Sequence, residues 1–423
     1  MGKFIGAIIT GAAFVAAILN PVTGTLGIIA AGVAFAASLG SLLFGPKAPK
    51  PQQAETTVKS PTAPRIFGYG TRRVYGSYAF FGNTTTGAAV DVIAYCDCPA
   101  NSIDAVYLND DVVTISGGYV QSPDGEAYRD NFVQAGYNLG ATPNTAHSAI
   151  ISALPSVWTS AHRGDGVVSG YLIKNPNKAK HFASEYPQGD NVQMSLVINM
   201  QPVFDPRNVA HDIDDESTWD ASANPVLHLL HYFVFERGYS YANNILPKIG
   251  LWEAAADVCD ETISGEPRYQ ACLLFERTAQ PKEIIASILE TFDGWYSVDS
   301  LGHISIYAGE YYTPSVTIDA SHIVEYSCQS FVEEENKYNE ISVKYFSALH
   351  DYNEVEAQPW RDETDISERG IVNNTGLAPQ VPSFKQSRRL AKILMARNNA
   401  QYRGQIMTNY AGRIAEGHRF INL

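Results

Sequence analysis

Cys96 and Cys98, in the stretch YCDCPAN, stand two residues apart, the spacing that puts strand side chains on one face. Two thiolates so placed make half of a tetrahedral zinc site, which needs two further ligands. The surrounding sequence offers no second close pair, so both thiols read as buried and inert. HDIDDESTWD, from His211 to Asp220, carries carboxylates of the kind that bind calcium. It lacks the D-x-[DN]-x-[DN]-G order that wraps such side chains round one ion, and reads as a solvated loop. His228 and His231 lie three apart on a predicted helix without a carboxylate motif beside them, and read as packing or surface histidines. Glu333 and Glu335 fall in the charge run VEEENKYNE, the pattern of a solvated turn. Glycan cleavage requires two carboxylates held at a fixed separation in a cleft, and nothing in the sequence points to one. The chain has no G-x-S-x-G, H-E-x-x-H or G-x-x-x-x-G-K-[ST] motif, and no G-x-G-x-x-G opening a helix. No catalytic, cofactor-binding or metal-binding residue is nominated. The expectation is a protein without enzymatic activity or cofactor.

The elements around these residues set the class. The 423 residues include 24 Tyr, 33 Gly and 22 Pro, a mixture that favours many short strands joined by turns. Strands are predicted in RIFGYGTRRVYGSYAFFGN, on both sides of a turn at Pro99–Asn101, in a hairpin at Asn109–Asp110, and around Met194. NPVLHLLHYFVFERGYS predicts an amphipathic helix capped by Asn224, with Pro225 at its first position and Gly238 at its end. LWEAAADVCDETI and QPKEIIASILETF predict two more helices, the latter turning at Asp293–Gly294 into a hairpin about Ser300–Gly302. NKYNEISVKYFS then reads as a strand, SFKQSRRLAKILMARNNAQ as a helix, and the rest as Tyr-rich strands. The class is α+β, mainly β, with antiparallel sheets. The five cysteines are an odd number in a large chain, which predicts reduced thiols and assembly in a cytoplasm. A formal charge of −14 argues against a general nucleic-acid binder, which needs a basic face to displace counterions. It suits a surface past which a polyanion slides without sticking, and equally well plain solubility.

One segment does not belong to a β-rich body. From Phe4 to Phe44 there is no charged side chain. Asn20, Pro21 and Gly24 break it into two apolar runs, so it predicts a helical hairpin. At about 1.5 Å per residue the second run spans roughly 30 Å, the hydrocarbon thickness of a bilayer. Gly32, Ala36 and Gly40 recur at four-residue intervals, a small-residue stripe that lets helices approach closely. Membrane insertion or shielding within an assembly, a buried oligomer core and a secretory signal all remain open. Predicted boundaries are a hairpin at 1–45, a Pro-rich linker at 46–64, a β-rich domain at 65–215, an α/β domain at 216–320, and a second β-rich domain with a helix at 321–423.

The phrases PRIFGYGTRRVYGSYAFF, DAVYLNDDVV, NPVLHLLHYFVFERGYS, PKEIIASILETFDGWYSVDSLGHISIYAGEYYTPSVTI, NKYNEISVKYFS and VPSFKQSRRLAKILMARN occur in that order. As a set, the chain resembles the tail-tip or baseplate hub proteins of long-tailed bacteriophages. These include the central, host-specificity tail-tip protein of lambda-like phages and the hubs of gene transfer agents. The resemblance implies a virion protein at the distal end of the tail, forming a homotrimer. Two β-rich hub modules per chain would give pseudo-sixfold symmetry, with an α/β insertion between them. It implies partnership with a distal tail or tail-tube protein and a tape-measure protein, and roles in host attachment and genome ejection. DNA would pass without specific binding. The apolar hairpin, which the hub architecture does not require, would plug the lumen or enter the host membrane as transmembrane helices. Many family members continue into fibronectin-like and receptor-binding regions, whereas this chain stops at GHRFINL; receptor contact is then expected in another protein or a longer product. Two alternatives are a membrane-anchored bacterial envelope protein with a periplasmic β-rich domain and a tail-associated cell-wall hydrolase.

Overall fold

A computed structural model of the chain describes residues 63–121, 128, 132–186, 189, 191–330, 336–371 and 374–423. The hairpin residues Asn20, Pro21, Gly24, Gly32, Ala36 and Gly40, the linker through residue 62, and the pair Glu333 and Glu335 lie outside the described residues. Among the described residues no helix is long and apolar enough to cross a membrane.

From Ile66 the chain contributes β1 (Ile66–Tyr69), β2 (Thr71–Val74), β3 (Ser77–Asn83), β4 (Ala89–Cys96), β5 (Ala100–Leu108), β6 (Asp111–Ser116), β7 (Tyr119–Gln121), β8 (Val133–Leu139), β9 (Val168–Lys174) and β10 (Met194–Met200). Short helices α1 (Ser148–Ala153) and α2 (Ala179–Glu185) interrupt the run. β2 to β10 form an antiparallel nine-stranded sheet in the order β2-β10-β5-β6-β7-β8-β9-β4-β3. Its two outermost strands, β2 and β3, are separated in sequence by Tyr75 and Gly76 alone. A sheet whose opposite edges are tied by two residues must curl until those edges meet. Gly76 permits the corner: its φ is +70°, and a Cβ there would stand 2.7 Å from the Ala94 carbonyl oxygen. β10 lies inside the sheet between β2 and β5, and its MSLVINM is buried at every position but Asn199, so the run is nearly continuously apolar instead of alternating.

The predicted hairpin at Asn109–Asp110 is present, with Leu108 opposite Asp111 and Asn109 at φ +55°. The strands on either side of Pro99 are also present, but they do not pair with each other. β5 begins at Ala100 and pairs with β10 and β6, while β4 pairs with β3 and β9.

The middle of the chain holds α3 (Pro225–His231), α4 (Ile249–Asp260), the small ribbon β11 (Thr262–Ile263) and β12 (Glu266–Pro267), β13 (Leu273–Glu276), α5 (Pro281–Phe292), and the hairpin β14 (Trp295–Val298) with β15 (Ile304–Tyr307). The Asn224 side chain accepts from the Val226 N–H, with Pro225 in the first turn, as its sequence signature predicts. α3 is not amphipathic, however. All seven residues are buried, because it lies between other elements and not on a surface. It passes into a π-turn over Tyr232–Glu236 before Gly238, whose φ is +72°. β1 pairs antiparallel with β13, Phe67 opposite Phe275, which binds the segment before the curled sheet to this helical region.

Last come β16 (Ile323–Ser330), β17 (Glu340–Ser347), β18 (Asn353–Arg361), α6 (Glu363–Arg369), β19 (Asn374–Leu377), α7 (Phe384–Asn398) and β20 (Tyr402–Thr408). β17 pairs antiparallel with β18 and parallel with β19. Leu390, Ala391 and Met395 of α7 are buried in the same apolar core as Ile341 and Val343 of β17. The Tyr-rich tail yields one strand, β20, followed by a tight helical turn over Tyr410–Ala415. One core runs through all three stretches, from Phe67 and Leu196 through Leu229 and Ile288 to Ile341 and Leu390.

Candidate functional site

The residues with chemical potential are mostly committed to holding the fold. Cys96 and Cys98 are both buried, and burial pushes the Cys96 thiol far above its usual range, which suppresses thiolate chemistry. Among the described residues no group of three or more His, Cys, Asp or Glu side chains is placed to hold a metal ion. In the acidic loop, Asp215 accepts from the Ser217 N–H and Asp212 from the Asp214 N–H. The Trp219 indole donates to the Asp212 carbonyl oxygen at 2.7 Å. These carboxylates serve their own turn.

His228 and His231 are packing residues. His228 Nε2 lies 2.7 Å from the Ser222 carbonyl oxygen, and its ring stacks on Tyr69 at 4.9 Å between centroids. His231 Nδ1 lies 2.9 Å from the Tyr69 hydroxyl, and its ring meets Trp219 edge-on. Burial lowers their pKa values to about 4 and about 3 respectively, so both rings are neutral near pH 7.

Several fold-determining polar residues carry no local motif. Arg72, in β2, is buried; its guanidinium donates to the Cys272 carbonyl oxygen at 3.0 Å and to Gln380 Oε1 at 2.5 Å, and lies over the Phe346 ring. Gln380 Oε1 also accepts from the Leu274 N–H. Gln386, in α7, accepts from the Gln270 N–H and donates to the Gln270 and Thr291 carbonyl oxygens. Together these residues join the curled sheet, the helical region and the last sheet. Arg207 is bound by Asp205, Asp257 and Asp260, which clamps the loop after β10 to α4. Asp91 and Lys174 pair at 2.6 Å beside a half-open cavity of about 250 Å³, whose lining includes Phe81, Asn83 and Asn191. That pair already satisfies its own charges.

The uncovered feature of the described surface is different in kind. Among the described residues β16 and β20 pair only with each other, and nearly every residue in both is exposed. Their apolar and polar alternation is written in IVEYSCQS and YRGQIMT, but only pairing shows that the apolar positions share a face.

Neither a family model nor a curated protein matches this sequence. Solved structures do. A chain from the virion of a native gene transfer agent particle aligns over 93% of this chain and 90% of its own length, with a TM-score of 0.54 and 12% identity. The two share a fold. A 43 kDa tail protein of prophage MuSo2 from Shewanella oneidensis aligns over 81% of both chains at 9% identity, with a TM-score of 0.26. A tail protein from Neisseria meningitidis MC58 aligns over 82% of this chain and 79% of its own, also at 9% identity, with a TM-score of 0.28. Scores that low lend no further weight.

Proposed function

We propose that this chain is a structural virion protein, the hub that closes the distal end of a phage-type tail. The observation that carries this reading is the fold shared with the gene transfer agent virion chain over nearly the whole length of both. A fold alone does not fix a role, so the hub assignment also leans on the ordered sequence phrases. In this reading three copies form a ring that meets the tail tube or a distal tail protein above it. Closed rings of three are built from heterologous contacts, and two related modules per chain turn three copies into six quasi-equivalent positions. The apolar segment Phe4 to Phe44 plugs the lumen against the tape-measure protein, or enters the host membrane when DNA is released.

The test is electron microscopy of purified particles carrying a gold label at the C-terminus of this chain. Label at one end of the tail is expected. Label on the capsid or along the tube, or recovery of the chain only from host membranes, would overturn the assignment.

A further inference from the structure

β3, β4 and β9 are neighbours in the curled sheet, and they reach the same end of it with Asn83, Ala89 and Lys174. These three residues stand opposite one another in register, and two residues further in Phe81 stands opposite Asp91. Residues that are opposite, or two apart along a strand, share a face, so all five side chains lie on one side of the sheet. Ala89, the smallest of them, sits between Asn83 and Lys174, and the room it leaves is the half-open cavity of about 250 Å³. Asn191, from the segment leading into β10, joins the lining. The floor is a buried ion pair: Asp91 and Lys174 expose 7% and 11% of their side chains. Such a pair is well accommodated only when the lone pairs and protons left over also find partners. A carboxylate offers about four acceptor positions. Among the described residues only Lys174 meets the Asp91 carboxylate, at 2.6 Å, and Asp91 Oδ2 accepts no aligned hydrogen bond. Asp91 is thus nearly enclosed, lines a cavity, and has acceptor capacity that the described residues leave unused. At the rim, Asn83 and Asn191 are exposed, and their side-chain amides make no hydrogen bond among the described residues. Phe81 beside them is 64% exposed.

These groups define the chemistry of an occupant. The ion pair repels a charged ligand of either sign through one member while attracting it through the other, so the floor favours neither. Asp91 accepts hydrogen bonds, and each amide both donates and accepts. A hydroxyl also does both, so a neutral ring carrying several hydroxyls can satisfy the carboxylate and both amides at once. The C–H face of such a ring is apolar and suits the flat side of Phe81. At about 250 Å³ the cavity falls just short of the ~300–1,000 Å³ of sites for drug-sized ligands, which restricts the occupant to a single small ring. We propose that this cavity binds one unit of a neutral sugar. Asp91 accepts from its hydroxyls, Asn83 and Asn191 bracket it, and Phe81 covers its apolar side. The proposal is independent of the hub reading and needs no second copy of the chain.

The test is saturation-transfer NMR on purified full-length protein, kept in a detergent without a sugar headgroup. Glucose, galactose and N-acetylglucosamine are titrated through the millimolar range, with glucuronate and protonated glucosamine as charged comparators. Saturable transfer to at least one neutral sugar is expected, with weaker binding of both charged ones. The double variant Asn83→Ala, Asn191→Ala should bind that sugar about tenfold more weakly or worse, since it loses two hydrogen-bonding groups. Both asparagines are exposed and bond to nothing in the described chain, so the variant should keep its thermal midpoint. Phe81→Ala, which removes only the stacking surface, should also weaken binding. No transfer to any of the three neutral sugars would leave the cavity to water and overturn the proposal. Equal affinity in the wild-type chain and the double variant would place the binding elsewhere, with the same consequence. Tighter binding of a charged sugar would overturn the assignment of a neutral ligand.

Discussion

His228 and His231 show how a residue that resembles a ligand becomes a liability in acid. Their folded pKa values of about 4 and about 3 lie below the ordinary value of 6.5, because burial penalises the charged ring. The unfolded chain therefore takes up protons that the folded chain refuses. Stability is full above about pH 6.5 and falls as pH drops from there towards 4 and then 3. Two such groups give a slope of up to about 2.7 kcal/mol per pH unit between roughly pH 6 and pH 4. Urea unfolding midpoints across that window are expected to fall steeply. In His231→Phe the slope should be about half as steep, at some cost in stability from the lost Tyr69 hydrogen bond. An unchanged slope would show that other groups dominate. The helix bearing these histidines was legible from Asn224, Pro225 and the apolar run. Arg72 was not, since its partners Cys272 and Gln380 lie 200 and 308 residues further along the chain and no local pattern encodes them.

At the scale of elements, what could be read in advance depended on local chemistry. Asn109 and Asp293 sit at positive φ in the turns predicted for them, because short polar side chains tolerate that conformation and glycine or aspartate follows. Caps and helix starts were legible for the same reason. Strand order was not: Pro99 separates β4 from β5 as a turn residue should, yet the two strands go to different neighbours in the sheet. The alternation in IVEYSCQS and YRGQIMT marks strands, but does not say that they pair with each other. The corner between β2 and β3 is the sharpest point of dependence. Gly76→Ala would place a β-carbon at φ +70° and 2.7 Å from both the Ala94 carbonyl oxygen and an Ile93 methyl. Left-handed strain and overpacking together predict a loss of about 2–4 kcal/mol. The thermal midpoint of Gly76→Ala checks this. Gly87→Ala is the control: its φ is +85° with open space around it, so it carries the backbone strain alone. Equal losses in the two variants would mean that the crowding at the corner contributes nothing.

At the scale of the whole molecule, a fold shared at 12% identity shows that the same architecture can be specified by largely different residues. Apolar alternation, caps and turn residues can all be satisfied by many side chains, so pairwise identity says little about whether two chains share an architecture. The charge-free opening segment stands outside that pattern, and the fold comparison leaves its role to experiment. Forty-one consecutive residues without a charge are not needed to build a β-rich body whose core already runs from Phe67 to Met395. Removing Phe4 to Phe44 should therefore leave the body folded and tails assembled, with the chain present at normal stoichiometry in purified particles. In the hub reading proposed above, genome delivery is what should fail, because so apolar a segment needs cover by protein or lipid and would change that cover when the tail opens. Plaque or transduction titre should drop by orders of magnitude while adsorption to cells stays unchanged. Normal titres would show the segment dispensable for delivery, and particles lacking tails would assign it to assembly instead.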